Sequence, residues 1–395
     1  MVSLAGTWMQ RVAQDWLVLE LSGGNPIALG IAAALQFGPV LVFSLWAGVL
    51  ADRLDKRKLL IAAQLALGGL AIVLGLLDVT GVVTLWQVYV LCFLLGCASA
   101  VENPVRQSFV IEIVGRAQLT NAVALNATTF NVARIVGPAI AGVAIAVIGT
   151  GWLFLFNGVT FLATIAALTS MDKAALNRSD AVPRRRGQLR EGLRYVRGRR
   201  DLMLVLALVF CVGTFGLNFY ATLAIVARNV FHSGPQGYGL LSTLLAVGTL
   251  TGAVLAARRA GNGGRPRMRL VVGAAMAFGV LEAIVGLMPN YLTFGLMLIP
   301  TGAAALTFTT AANSAVQLTV APTMRGRVMA LYMLLFLGGT PLGGPLVGWL
   351  AAEFGGRAPI VLGGVASFLA AAVCGVAYRY ALRTGAAPAA PAQQA

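Results

Sequence analysis

The sequence predicts an all-α polytopic membrane protein with twelve transmembrane helices in two pseudo-symmetric six-helix bundles. Twelve apolar stretches run through the 395 residues, which are 58% hydrophobic and only 11% charged. So little charge does not coat a soluble globule of this length, and the solvent for most of the surface is lipid. Of 29 Lys and Arg, 25 fall in alternate gaps, in the C-terminal tail or, as Arg379, at the end of the last segment beside that tail. Only Arg228 and Arg357 lie in gaps on the other side, while Arg11 and Arg134 sit inside apolar segments. This bias makes the charged gaps, the central linker and the C-terminus cytoplasmic.

A span needs ~20 apolar residues to cross ~30 Å of hydrocarbon. The first bundle, residues 1–170, takes its six helices from Val2 to Leu21, Ile27 to Leu50, Leu59 to Leu77, Leu85 to Ala100, Asn121 to Ile148 and Leu153 to Ser170. The second, residues 202–380, takes Leu202 to Ala227, Tyr238 to Ala257, Leu270 to Leu287, Tyr291 to Ala312, Val328 to Ala352 and Pro359 to Tyr380. Between them, the basic linker 171–201 carries ten Arg or Lys. Within it Leu189, Leu193 and Val196 recur at helical spacing against Arg190, Arg194 and Arg197, which predicts an amphipathic helix on the cytoplasmic membrane face. Residues 381–395 read as a disordered cytoplasmic tail.

The halves repeat one another. Val49-Leu-Ala-Asp-Arg53 returns as Val254-Leu-Ala-Ala-Arg258. Asn103 and Gln107 followed by Gly137-Pro138 return as Asn313 and Gln317 followed by Gly344-Pro345. A duplicated six-helix unit encloses a cavity near the bilayer midplane and works by rocking one bundle against the other.

Several function classes fall away. A pI near 10.8 raises nucleic acid as a partner, but these basic residues lie in short gaps beside spans, where they meet anionic lipid headgroups. Cys92, Cys97, Cys211 and Cys374 lie in spans at spacings of no zinc or disulfide framework and read as small core residues. His232 is the one histidine, so neither a histidine-built metal site nor a catalytic one is expected, and no cofactor. The chain has no Gly-x-x-x-x-Gly-Lys-Ser/Thr for direct use of ATP. No cleavable signal peptide is expected ahead of the first span.

The loop after the second segment reads Gly48-Val-Leu-Ala-Asp52-Arg53-Leu-Asp55-Lys56-Arg57-Lys58, and segment 5 carries Gly137-Pro138-Ala-Ile-Ala-Gly142. With these, the chain resembles the major facilitator superfamily. The opening Gly6 to Glu20 and the stretch Glu102-Asn-Pro-Val-Arg-Gln107 are similar to its enterobactin-exporter branch. Asp55 departs from the loop signature, which usually has Gly there and so a differently shaped turn. The branch also carries a basic stretch ahead of the Gly-Thr-Trp, where this chain has five residues. Either the start is assigned too late, the expectation favoured here, or the first helix is shortened.

The informative residues are charges that lipid should exclude. In segment 1, Thr7, Gln10, Arg11, Gln14 and Asp15 share one ~140° arc at 100° per residue, and this arc is expected to line the cavity. Asp15 is the leading proton-coupling carboxylate, with Arg134 of segment 5 as its partner, because burial and a nearby cation act oppositely on its charge. A fixed structural ion pair is the competing reading. Glu102 and Glu282 are the alternative coupling sites, Glu282 also reading as packing. The resemblance implies a cytoplasmic gate of Gly48, Asp52, Arg53, Arg57, Glu102 and Arg106; simple topology anchoring explains the basic members equally. Gly137, Pro138 and Gly142 form a helix-packing motif, as do the glycines and prolines from Gly338 to Pro345. Trp8, Trp16 and Phe37 are available to stack on an aromatic substrate.

The expectation is a secondary active transporter of the bacterial inner membrane, a proton-driven exporter of an amphipathic small molecule such as a drug or siderophore, working as a monomer. An importer on the same fold, or a transport-inactive scaffold or sensor, is the alternative. An enzyme is not expected, since no nucleophile, base and metal constellation is present.

Overall fold

The computed structural model describes residues 2–115, 118–172, 188–261, 268–321 and 324–383; side chains 44–53 and those at scattered further positions, among them 188–190, lie outside the description. The described chain is built of helices. The first six are α1 (Val2–Leu21), α2 (Pro26–Arg53), α3 (Lys56–Val79), α4 (Leu85–Val114), α5 (Leu119–Ile148) and α6 (Thr150–Ser170). A short α7 (Gln188–Arg197) precedes α8 (Arg200–Phe215), α9 (Phe219–Ile225) and a π turn (Val226–Val230). The last are α10 (Pro235–Gly261), α11 (Met268–Leu287), α12 (Tyr291–Thr319), α13 (Arg325–Phe354) and α14 (Ala358–Arg383).

Among the described residues eleven spans are long and apolar enough to cross a bilayer, the stretch from Arg200 to Val230 counting as one. The chain is a multi-pass membrane protein. α1 has a matching 20 residues but is less apolar, because Gln10, Arg11, Gln14 and Asp15 interrupt its hydrophobic run. The surface is that of a protein dissolved in lipid: Leu125, Val147, Leu292 and Val376 are all exposed.

Two sequence-predicted elements differ most, one in extent and one in continuity. The fourth helix runs on from Ala100 to Val114 with Pro104 inside it, since the polar stretch after Ala100 keeps helical partners. The seventh is not continuous from Leu202 to Ala227. It breaks at Gly216, and Asn218 Nδ2 donates to the freed carbonyl of Thr214 at 2.7 Å. The departure at Asp55 has a structural account: its carboxylate caps α3, accepting from the Arg57 and Lys58 N–H groups at 3.0 and 3.2 Å.

The chain divides into two compact units. One comprises residues 1–183, 220–243 and 344–356, the other 184–219, 244–343 and 357–395. The first thus joins α1 to α6 with α9, the π turn, the first turns of α10 and the last turns of α13. Within it α1 packs on α5 and α6, α2 on α4, and α3 on α6. In the other, α11 packs on α14 and α12, and α8 on α14. α7 spans the linker residues at which the amphipathic helix is expected and buries Gly192 and Val196, while Leu193 stays 40% exposed. Lys173 to Gly187 of the linker and the tail from residue 384 lie outside the described residues.

Candidate functional site

A polar constellation lies in the first unit around α1. Asp15 Oδ2 accepts a 2.8 Å hydrogen bond from the hydroxyl of Tyr238, which is 0% exposed in the first turn of α10. Arg11, one turn before Asp15, is the cation whose charge acts on it. Its guanidinium lies 4.5 Å from the Tyr220 ring centroid, 4.9 Å from Phe37 and 5.8 Å from Trp8. Trp8 in turn meets Tyr220 at 5.3 Å and Phe130 at 5.6 Å. Arg134 of α5 neighbours Tyr220. Two guanidinium groups, one carboxylate and five aromatic rings therefore share one neighbourhood, with cation–π contacts holding Arg11.

Two members of the expected cavity arc do not line open space. Gln10 and Gln14 are 5% and 2% exposed. Asn157 Nδ2 of α6 donates to Gln10 Oε1 at 2.5 Å, and Gln14 Nε2 donates to Gln36 Oε1 of α2 at 3.0 Å. A buried amide needs a partner, and the neighbouring helices supply one for each. Thr7 is exposed, its hydroxyl donating to the Ser3 carbonyl at 2.9 Å. Trp16 is buried, with Nε1 donating to Glu20 Oε1 at 2.7 Å and Arg228 over its ring at 5.6 Å.

The helix-packing motif on α5 has a clear geometric role. A Cβ on Gly137 would lie 2.6 Å from Trp8 Cβ. One on Gly142 would lie 2.9 Å from the Pro235 carbonyl oxygen and 3.0 Å from Gly239 Cα. The reverse holds too, since a Cβ on Gly239 would lie 2.5 Å from the Pro138 oxygen and 2.8 Å from Gly142 Cα. The start of α10, with Tyr238, is seated on α5 by backbone against backbone.

Of the expected gate, Gly48, Asp52 and Arg53 fall in the stretch of α2 whose side chains lie outside the description. Arg57 caps α6, donating from Nε to the Leu168 carbonyl and from Nη2 to that of Thr169, each at 2.5 Å. Glu102 Oε1 accepts from Arg106 Nε at 2.8 Å and from Gln64 Nε2 at 3.5 Å. Lys56 bridges instead to Glu112, at 2.5 Å, a carboxylate the sequence did not single out.

Glu282 lies in the second unit, on α11, and is 2% exposed. Its Oε2 and the Ser367 hydroxyl on α14 have no hydrogen-bond partner among the described residues. Both face Gly216, where a Cβ would lie 2.9 Å from Glu282 Oε2 and 2.7 Å from Ser367 Oγ. The carboxyl thus fills the gap at the α8 break. Among the described residues no His, Cys, Asp and Glu cluster could hold a metal ion.

Tyr238, Tyr220, Gln36 and Asn157 were missed in the sequence. The signal was present in part: Asn157 and Gln36 are isolated amides in apolar runs, but nothing local marks a tyrosine as the partner of a residue 223 positions away.

The model of the transmembrane secretion effector family matches residues 1–394. The chain belongs to this family of the major facilitator superfamily. Solved superfamily structures share its fold: a bacterial homologue of the human lysosomal transporter Spinster, inward-facing and occupied, has a TM-score of 0.74 at 14% identity, and a mutant of the nucleoside transporter NupG 0.75 at 10%. The first covers 96% of both chains; the second covers 95% of this chain and 96% of NupG. Relatives are transporters too. The multidrug efflux pump Tap of Mycolicibacterium fortuitum is 28% identical over 92% of both chains. The staphyloferrin A transporter of Staphylococcus aureus is 27% identical over 62% of this chain, the match spanning 61% of that relative's length.

Proposed function

We propose that this transporter is a proton-driven exporter of an amphipathic small molecule, with Asp15 as the proton-carrying carboxylate. One observation carries the reading: Asp15, only partly exposed on a helix packed against α5 and α6, accepts a 2.8 Å hydrogen bond from the Tyr238 hydroxyl, with Arg11 one turn before it. Shielding disfavours the charged carboxylate, whereas the cation and the donor favour it, so small movements of these groups change whether it holds a proton. The rings of Trp8, Phe37, Phe130 and Tyr220 beside Arg11 offer the apolar, stackable surface that an amphipathic substrate needs. The efflux pump among the relatives supports the outward direction. In this reading residues 1–170 and 202–380 rock as two bundles in the inner membrane, the linker and C-terminus face the cytoplasm against anionic headgroups, and one copy suffices.

The test is transport into proteoliposomes under an imposed pH gradient, with a macrolide, staphyloferrin A and ethidium as probes. Asp15→Asn should retain probe binding and lose gradient-driven accumulation. Accumulation by Asp15→Asn equal to that of the wild type would move the coupling site elsewhere, to Glu102 or Glu282.

A further inference from the structure

We propose that Tyr238 is the positioning residue that ties the charge of Asp15 to the closure of the end of the first unit formed by α1, α2, α5, the π turn and the start of α10, the end predicted to face outward. The inference rests on the reading of Asp15 as the proton carrier.

Tyr238 sits in the first turn of α10, a helix from the second half of the sequence, yet its hydroxyl bonds a carboxylate on α1. It is held there by close backbone contact and by side-chain hydrogen bonds beside it. The turn is pressed on α5 through Gly239 against Pro138 and Gly142, with no room for a Cβ on either glycine. One turn on, the Thr243 hydroxyl reaches the carbonyls of Gly239, at 2.8 Å, and Ile135, at 3.5 Å. On the neighbouring flank Asn229 Nδ2 donates to the Gly24 carbonyl at 2.9 Å. A shift of the start of α10 away from α5 therefore withdraws the hydroxyl from Asp15.

The chemistry gives the link a sign. A hydroxyl donating to an ionised carboxylate makes a hydrogen bond about twice as strong as one between neutral groups. With α10 seated, the bond favours ionised Asp15 and release of its proton; with a proton on Asp15, the bond weakens and α10 is freer to leave. That is the order a proton-for-substrate exchange requires, because closure of the outer end then accompanies release of the proton on the inner side.

The groups facing Asp15 from the packed elements are few. Arg11 comes from α1 itself, Cys92 from α4, Tyr220 from α9 and Tyr238 from α10, with Arg134 of α5 reaching Tyr220. From α2 and α6 come the uncharged Gln36 and Asn157, bonded to Gln14 and Gln10. Among these, Tyr238 alone donates a hydrogen bond to the carboxylate from a segment of the second half.

The experiment places spin labels at Asn25→Cys and Gln236→Cys, both exposed and both in the first unit, in full-length protein lacking the four native cysteines. Pulsed electron paramagnetic resonance in nanodiscs follows the distance between them from pH 5 to pH 9. The wild type should lengthen on acidification. Tyr238→Phe, which keeps the ring and removes only the oxygen, should lose most of this pH-driven lengthening. Asp15→Asn should give one pH-independent distribution. A Tyr238→Phe response that superimposes on the wild type overturns the role of Tyr238 while leaving Asp15 as carrier. A pH response that persists in Asp15→Asn, or its absence in the wild type, overturns both.

Discussion

Glu191 Oε1 lies 2.9 Å from Arg327 Nη1, an ion pair that ties the linker helix α7 to the first turn of α13. Beside it the contact is steric: a Cβ on Gly192 would lie 3.1 Å from Arg327 Cβ, and the Ala321 N–H points at the Tyr195 hydroxyl oxygen at 3.4 Å. Glu191 is more than half exposed, so its pairing is weak, whereas the glycine sets how closely α7 approaches. Glu191→Ala should cost at most about 1 kcal/mol. Gly192→Leu should cost about 1 to 3 kcal/mol by overpacking. Thermal unfolding of the purified protein in detergent ranks the two, and a larger loss for Glu191→Ala would make the ion pair the dominant tie.

Sidedness rests on charge placement and is open to a direct check. The linker carries ten basic residues, whereas the turn at Ser233 has only Arg228 nearby. In a cysteine-free background, Ser233→Cys should react with an impermeant maleimide in intact cells and Ser179→Cys should not. The reverse pattern would invert every assignment of inner and outer ends.

At the break between α8 and α9, Glu282 and Ser367 crowd the space a side chain on Gly216 would need, and Phe278 Cε1 lies 2.6 Å from that Cβ position. Gly216→Ala should therefore destabilise the protein by about 1 to 3 kcal/mol. Glu282→Gln, nearly the same shape, should change stability by less than about 1 kcal/mol and leave pH-driven accumulation intact. Loss of accumulation in a stable Glu282→Gln protein would instead place a coupling proton at the α8 break.

Much was legible in the sequence because lipid imposes simple rules. Long apolar runs, the basic gaps between them and the Gly48 to Lys58 loop led to the helices and the family, since a span must bury its own backbone hydrogen bonds. Asp15 and Arg11 stood out because a charge in an apolar run is costly wherever the helix lies. Local rules also hid things. Asp55 read as a departure from a motif, yet it supplies the cap that starts α3. Arg57 read as part of a gate, yet its guanidinium closes the end of α6, 111 residues on.

The sequence by itself determined what each helix is made of: its length, its polar arc and which of its charges lie in the membrane, all of which are properties of residues 3 or 4 apart. Only the tertiary structure decided what each polar group meets. Gln10 and Gln14 share the arc of Asp15, but neighbouring amides take them out of any open space, whereas Asp15 meets the hydroxyl of Tyr238. Helical periodicity fixes the direction of a side chain and says nothing of the helix facing it; that choice comes from which backbones can approach, and here the paired Gly142 and Gly239 bring α10 against α5 and so Tyr238 to Asp15.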